Sequence, residues 1–213
     1  MYDLDTAIKF GQTLFPESTR ALGSPVLMIL DETAKKAEAF PWRDNGDLEA
    51  VLKIGTDRKA LVTFSPAMRK LGFDPVKARG QGKKEDCVAT SVFKTDFDPF
   101  GSTLPKTPLT EQVKQLIVNT KLPIPFEPAF FVDSGGGLHG YYLSTDPIFL
   151  RTAQEIRQYE DINRSIIDFW AEAGIPCDVD RSIVDVTRMM RLPGSVNFRY
   201  DKPRLTKIYE VTR

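Results

Sequence analysis

Three short segments of the 213-residue sequence carry the side chains that could do chemistry. The first ends in Asp96 and Asp98, the second holds a glycine triplet followed by the only histidine, His139, and the third places Asp180 ahead of several arginines. Carboxylate oxygens are the ligands that Mg²⁺ and Mn²⁺ prefer, whereas one histidine and two cysteines are too few for zinc fingers or iron–sulfur clusters. The sequence therefore favours carboxylate chemistry with a hard divalent cation and no zinc.

The composition is that of an ordinary globular chain. Hydrophobic residues make up 41% and charged residues 27%, and 29 basic residues balance 29 acidic ones, which excludes disordered, collagen-like and strongly polybasic proteins. No apolar run approaches the roughly 20 residues that a membrane span requires. Because Cys87 and Cys177 are far apart and no signal-peptide pattern is present, we expect free thiols in a cytoplasmic protein with no membrane partner.

The first segment ends a strand predicted over Val88–Asp98. Side chains alternate along a strand, so Asp96 and Asp98 share one face while Phe97 points to the other. Two carboxylates on one face repel each other unless water solvates them or a divalent cation lies between them. Taken alone, two aspartates at a strand end before a proline are more typical of a solvated turn than of a metal site.

The second segment turns through Ser134, Gly135, Gly136 and Gly137 before His139. Glycines adopt positive φ readily, so backbone N–H groups here could converge on an anion such as a triphosphate, with the hydroxyl and the imidazole as further donors. No Lys-Ser/Thr pair follows, so the segment is not a Walker A loop. A plain glycine-rich hairpin with a surface histidine is the alternative.

The third segment has Asp180 first and then Arg188, Arg191 and Arg199. Guanidinium groups bind phosphate oxygens through two parallel hydrogen bonds, so these arginines could contact a triphosphate or a nucleic-acid strand. For any single arginine, an ordinary ion pair on a surface strand is the alternative.

A fourth, more weakly patterned stretch is basic. Residues 77–84 contain four Lys or Arg side chains among small residues, which predicts a loop. The composition favours a solvated linker, and a phosphate-contacting loop is the alternative.

The predicted elements alternate between helices and strands. From the strand at Val88–Asp98 onward their order is β-α-β-β-α-β, the split pattern of ferredoxin-like and RNA-recognition-type sheets, so we predict an α+β fold. The predicted helices run from Asp3 or Asp5 to Leu14, and over Leu48–Ile54, Pro108–Lys121 and Ile148–Ala173; the other strands are Ala37–Trp42, Leu61–Phe64, Ala129–Val132, Leu138–Leu143 and Leu205–Val211.

In this order, the three segments resemble the motifs of the archaeo-eukaryotic primase superfamily, in its primase-polymerase branch. That family has a hydrophobic strand ending in Asp-x-Asp or Asp-x-Glu, similar to Asp96 and Asp98 here. It has a small-x-His motif after a Ser-Gly turn, similar to Gly137-Leu138-His139.

The third family motif is a hydrophobic residue followed by Asp, similar to Val179-Asp180. Many phage and plasmid members continue into Arg-x-x-Arg-Leu-Pro-Gly-Thr-x-Asn, and residues 188–197 fit this run with Ser195 in place of Thr. The resemblance covers residues from about 86 to 200.

The resemblance implies an RNA-recognition-motif-like sheet at residues 86–213, packed against an N-terminal αβ unit at residues 1–85. Together they would form one catalytic core with the active site in the cleft between them. It implies template-dependent DNA or RNA primase-polymerase activity, with a DNA template, a primer and dNTPs or NTPs as partners and two Mg²⁺ or Mn²⁺ ions. Members occur beside CRISPR-type and mobile-element genes, and many carry further domains, which leaves open whether this chain is a catalytic core cut from a longer protein.

The resemblance also implies a role for each matching residue. Asp96, Asp98 and Asp180 would be the catalytic metal ligands. Asp185 is the rival of Asp180 as the third ligand. The residues expected to bind the nucleotide are Ser134, Gly135, Gly136, Gly137, His139, Arg188, Arg191, Asn197 and Arg199.

Two other functions fit part of the pattern. A metal-dependent nuclease or nucleotidyl cyclase also builds on two aspartates and a ferredoxin-like sheet. A non-catalytic RNA-recognition-type module would bind nucleic acid by base stacking, but the sequence lacks its aromatic-basic octapeptide.

Overall fold

The computed structural model describes residues 1–100, 107–121 and 127–209 of the chain. Helices and antiparallel strands alternate along it, which confirms the predicted mixed α+β class. The helices of these residues are α1 (Leu4–Leu14), α2 (Glu17–Arg20), α3 (Asn45–Asp57), α4 (Glu111–Asn119) and α5 (Ala153–Glu172).

The strands form two sheets and one separate pair. They are β1 (Val26–Asp31), β2 (Lys36–Pro41), β3 (Leu61–Phe64), β4 (Met68–Arg69), β5 (Cys87–Asp98), β6 (Phe130–Asp133), β7 (Leu138–Phe149), β8 (Asp178–Val179), β9 (Met190–Arg191), β10 (Val196–Asn197), β11 (Arg204–Leu205) and β12 (Lys207–Tyr209). The four-stranded sheet has the order β2-β1-β3-β9. The six-stranded sheet has the order β12-β6-β7-β5-β4, with β8 also paired to β5, and β10 pairs with β11.

The first helix follows its sequence signals. Asp3 caps α1 by accepting a hydrogen bond from the Thr6 amide at 3.0 Å. The buried residues Ala7, Phe10 and Leu14 form its apolar stripe, which packs into the main hydrophobic core. The prediction of this helix is confirmed.

The next elements differ in part from the prediction. The helix expected at Leu48–Ile54 starts earlier, at Asn45, because Asp44 caps it by accepting a hydrogen bond from the Asp47 amide at 2.9 Å. The sequence analysis missed β1, since its continuous apolar run lacks the polar alternation of a half-buried strand.

The side chains of β1 alternate between the two faces of the four-stranded sheet. Leu27 and Ile29 pack into the core with α1 and α3, whereas Met28 and Leu30 point to the opposite face. This opposite face lines the cleft described below.

The centre of the six-stranded sheet is the pairing of β5 with β7, each 12 residues long. The return strand expected to end at Leu143 continues to Phe149, so the helix expected from Ile148 starts only at Ala153. Its start is set by a capping box between Thr152 and Glu155.

Two further predictions are corrected in part. Helix α4 is shorter than expected. Leu116 on this helix is 47% exposed, whereas Lys114 is buried in an ion pair with Asp133 at 2.6 Å. The expected strand Leu205–Val211 is two short strands separated at Thr206, and its last two residues lie outside the described residues.

Each sheet receives a strand from the other part of the sequence. β4 precedes residue 85 but joins the six-stranded sheet, and β9 follows residue 86 but pairs with β3 of the four-stranded sheet. Strands therefore cross the expected division at residues 85/86 in both directions.

Cys87 and Cys177 are free and buried. Burial raises the pKa of the Cys177 thiol to about 11. Among the described residues, no helix has both the length and the apolarity to cross a lipid bilayer.

The backbone of Gly194 hydrogen-bonds both to the N-terminal segment and to the residue that follows β11. Its φ is +83°, its carbonyl accepts a hydrogen bond from the Asp3 amide at 2.8 Å, and its own amide donates to the Thr206 carbonyl at 2.7 Å. A Cβ atom here would overlap the Asp3 carbonyl oxygen and contact Ala7. Only glycine satisfies both the backbone conformation and the space.

We predict that Gly194→Ala lowers the free energy of unfolding by about 2–4 kcal/mol, because positive φ and steric overlap both add cost. Gly72→Ala is the matched control, since Gly72 has a φ of +81° but nothing within 4 Å of its Cβ position. Urea denaturation of both variants measures the difference. Equal losses would show that the overlap at Gly194 relaxes without cost.

Candidate active site

A cleft of about 710 Å³ lies between the two sheets. Every predicted site residue except Gly135 lines it, including the three aspartates Asp96, Asp98 and Asp180. One wall comes from the six-stranded sheet and is polar, and the other includes the apolar side chains of Met28, Leu30 and Leu61. The sequence predicted the polar wall only.

Backbone pairing brings the three aspartates together. Asp96 and Asp98 lie on β5, where Asp98 pairs with Asp178 of β8. The Asp180 amide, just after β8, donates a hydrogen bond to the Asp96 carbonyl at 2.9 Å. The pairing of the short strand β8 with β5 therefore places Asp180 next to the end of β5.

Asp180 and its rival Asp185 have different surroundings. The Asp180 carboxylate accepts hydrogen bonds from the Ser182 amide at 2.8 Å and from Arg188 Nη2 at 3.2 Å. Asp185 does not line the cleft; its carboxylate accepts hydrogen bonds from Thr187 at 2.7 Å and pairs with Lys84 at 3.2 Å. Geometry thus separates the two candidates.

The aspartates fit a hard divalent cation by their chemistry, since each supplies carboxylate oxygens to the same cleft. Within the described ranges, however, no three His, Cys, Asp or Glu side chains are already arranged around a common point that could hold a metal ion. The Arg188 guanidinium contacts Asp180 in this arrangement.

The glycine turn differs from the expected anion nest. The Gly135 amide donates to Asp133 Oδ1 at 2.8 Å, and the Gly137 amide donates to Ser134 Oγ at 3.1 Å. Of the three amides, only that of Gly136 has no acceptor among the described residues. The turn is thus a tight hairpin that leaves one N–H group available, because its side chains satisfy the other two.

Close packing explains why glycine occupies this turn. A Cβ atom on Gly136 would overlap the Tyr200 hydroxyl, and one on Gly137 would overlap the Phe97 carbonyl oxygen. Gly135, with a φ of +86°, faces Asn197 and Arg204 rather than the cleft. Gly135 therefore does not line the cleft as expected for a nucleotide-binding residue, and its positive φ serves the turn.

His139 is buried in the cleft wall. Its β7 position pairs with Asp96 of β5, and its Nε2 atom is 3.5 Å from Asp96 Oδ1. Burial, with a contribution from the nearby Arg191 charge, lowers the pKa of His139 to about 3. The imidazole is therefore neutral at pH 7 and carries one N–H donor.

Arg191 reaches into the cleft from β9, on the four-stranded sheet. Its Nη1 atom is buried and makes no hydrogen bond in the described part of the chain. Burial, and then the charge of Arg199, lower the pKa of Arg191 to about 10, so the guanidinium stays protonated at pH 7. A buried charged donor without a partner costs free energy, which an anionic ligand would offset.

The other two predicted residues of this segment are engaged within the protein. Asn197 donates to the Ser134 carbonyl at 2.8 Å and accepts a hydrogen bond from the Arg199 amide at 3.1 Å, so it holds the glycine turn. Arg199, which lines the cleft, donates from Nε to both carboxylate oxygens of Glu32, at 2.9 and 3.0 Å.

Sequence reasoning missed several residues that line the cleft. Asp178 and Tyr200 belong to segments already singled out, but nothing in their spacing distinguished them from surface residues. Met28 lies on the missed strand β1, and Gln81 lies in the basic stretch that was interpreted as a linker. For Gln81, the only sequence feature that could have indicated a place near the cleft is the group of lysines and the arginine around it.

The sequence matches no protein-family model and no curated protein. The fold is similar to the primase-polymerase domain of cyanophage S-2L, with a TM-score of 0.66 at 14% identity over 99% of this chain and 91% of the other. It is also similar to the catalytic domain of primase RepB′ in complex with initiator DNA, with a TM-score of 0.56 at 15% identity over 97% and 84% of the chains.

A third similar structure is the polymerase domain of Mycobacterium tuberculosis Ligase D in complex with DNA, with a TM-score of 0.53 at 14% identity. The match covers 94% of this chain and 79% of the other. The fold of this chain is therefore similar to the folds of these three domains.

Proposed function

We propose that the chain is a template-dependent primase-polymerase, a nucleotidyltransferase that joins nucleotides on a DNA template with the help of two divalent cations. One observation carries the proposal: three carboxylates face the buried, unpartnered Nη1 atom of Arg191 in a single cleft. Cation-binding groups on one wall and an anion-binding group on the other suit a metal–triphosphate substrate.

In this proposal Asp96, Asp98 and Asp180 hold Mg²⁺ or Mn²⁺. When bound, the cations lower the pKa of the primer 3′-hydroxyl and neutralise charge on the triphosphate. Asp180 is preferred to Asp185 because it lies in the cleft next to Asp96, whereas Asp185 is engaged with Lys84 outside it.

The phosphates are held by groups of the chain that have donors to offer. Arg191 supplies a charged guanidinium, His139 a neutral N–H and Gly136 a backbone amide. Arg188, whose side chain is 48% exposed, exchanges the Asp180 carboxylate for a phosphate oxygen. Ser134 and Asn197 position the turn, and Arg199 stands at the mouth with Glu32.

The apolar wall accepts the base and sugar of the incoming nucleotide. Met28, Leu30 and Leu61 carry no hydrogen-bonding groups that could distinguish the edges of the bases. Base selection is therefore left to pairing with the template, as a template-dependent enzyme requires.

We also propose a finer description of the fold, namely an RNA-recognition-like unit packed against an N-terminal unit. The strand order β6-β7-β5-β8, with α4 and α5 as the connections, supports an RNA-recognition-like split βαβ unit. We propose that this unit (86–213) and the N-terminal unit (1–85) form one catalytic core, which exchanges strands across its division. A cytoplasmic location, further domains and a CRISPR or mobile-element context stay predictions.

Incubation with a primer–template, Mn²⁺ and labelled dNTPs tests the function. Template-dependent extension of the primer is the expected result. Primer degradation would indicate the nuclease, a cyclic product the cyclase, and binding without any product the non-catalytic module.

We predict that Asp96→Asn and Asp98→Asn each reduce incorporation by about 10²–10³-fold or more, because each removes a charge that the cations require. Thermal unfolding should remain cooperative and its midpoint should not fall, since removing one of several neighbouring carboxylates relieves repulsion. Asp161→Asn, on the exposed face of α5, is the matched control. Wild-type incorporation by either cleft variant would refute this assignment.

We predict that Arg191→Gln raises the KM for dNTP by about 10–100-fold, the loss expected for a hydrogen bond to a charged group. The unfolding midpoint should stay unchanged or rise, because desolvation disfavours the charged guanidinium and its Nη1 atom makes no hydrogen bond among the described residues. Arg58→Gln, which removes an exposed ion pair with Glu38, is the control. Destabilisation of Arg191→Gln with an unchanged KM would mean that this arginine is structural.

A further inference from the structure

The basic loop, residues 77–84, lies at the rim of the cleft. It follows β4 and leads into the 3₁₀ turn Lys84–Asp86 that precedes β5. Its central residue Gln81 lines the cleft, and the Lys77 side chain is 87% exposed. The loop is therefore both solvent-facing and adjacent to the proposed active site.

The loop is fixed to the core and does not resemble a free linker. Arg69, which is fully buried, donates from Nε to the Gln81 carbonyl at 2.5 Å and from Nη1 to the Ala67 carbonyl at 2.7 Å. A Cβ on Gly82 would lie 2.8 Å from the Phe73 ring, so the loop packs tightly there. Burial of an arginine to hold one loop carbonyl is costly, which argues that the loop position matters.

Two of the four basic side chains already have partners. Lys84 Nζ contacts Glu160 at 2.6 Å and Asp185 at 3.2 Å, and Lys77 pairs with Asp74 at 3.7 Å. Arg79 and Lys83 form no ion pair with any described residue, and both are exposed. The loop thus carries two exposed positive charges, one on each side of the cleft-lining Gln81 in the sequence, with no ion-pair partner among the described residues.

We propose that Arg79 and Lys83 bind the phosphodiester backbone of the nucleic-acid strand that enters the cleft past Gln81. This inference rests on the proposed polymerase function. The carboxylates in the cleft repel a polyanionic strand, so cationic side chains at the rim are needed to hold it. Since the net charge of the chain is zero, binding depends on such local groups.

A protein partner is the competing interpretation of this surface, because Leu71 and Val76 nearby are 76% and 62% exposed. The positions of the two unpaired charges favour nucleic acid. Both cations flank the cleft-lining residue Gln81, whereas Leu71 and Val76 precede the basic loop and do not line the cleft. The experiment below decides between them.

The test measures binding of a fluorescent primer–template to the full chain by anisotropy, without nucleotide or divalent cation, over a range of salt concentrations. For the double variant Arg79→Gln/Lys83→Gln we expect about tenfold weaker binding at low salt. The slope of log Kd against log salt should fall by about 2, one for each lost phosphate contact.

The control variant is Lys53→Gln/Arg164→Gln, which removes the same charge. Lys53 is exposed on α3 and Arg164 is exposed on α5, and these helices pack on the sheet faces opposite the cleft. This variant should keep the wild-type slope. Equal losses in both variants would overturn the inference, because only net charge would then matter.

The outcomes separate this inference from the proposed function. If the wild type extends primers while the loop variant keeps wild-type affinity and salt slope, the loop does not bind the strand and the polymerase proposal stands. If the loop variant raises the KM for primer–template but not for dNTP, the inference is supported. A wild-type chain that binds no primer–template overturns both.

Discussion

The register between β5, β7 and β8 is the constraint on which the proposed site depends. It places Asp96 opposite His139 and lets the Asp180 amide bond to the Asp96 carbonyl. Side chains alternate along a strand, so a shift of one residue would turn the carboxylates of β5 toward Trp170 and the core. Packing of Phe97 against α5 prevents that shift, and the hydrophobic core thereby fixes the chemistry on the other face.

The cleft divides its charge between two walls. The carboxylates belong to the six-stranded sheet, and Arg191 belongs to the four-stranded sheet through the pairing of β9 with β3. Arg188, between them in the sequence, pairs with Asp180. Because Arg191 lies on the opposite wall, its Nη1 atom makes no hydrogen bond to a carboxylate among the described residues, and a positively charged donor remains available within a neutral chain.

Sequence reasoning found what local signals encode. Asp96, Asp98 and His139 lie at a strand end or beside a turn, and alternation within one strand already places both aspartates on one face. Sequence reasoning could not predict the ion pair between Glu32 and Arg199, because the two residues are 167 positions apart and their contact depends on the tertiary packing of the sheets. Likewise, the hydrogen bonds that occupy the glycine amides depend on Ser134 and Asp133 rotamers that no spacing specifies.

The placement of β9 has a mechanical consequence. Any ligand held by Arg191 and by the aspartates at once links the two sheets as a non-covalent brace. By mass action, such a ligand stabilises the folded state by an amount that grows with the logarithm of the ratio of its concentration to its dissociation constant. A ligand bound in the cleft therefore makes the whole fold more resistant to heat and to proteases, including segments that do not touch the ligand.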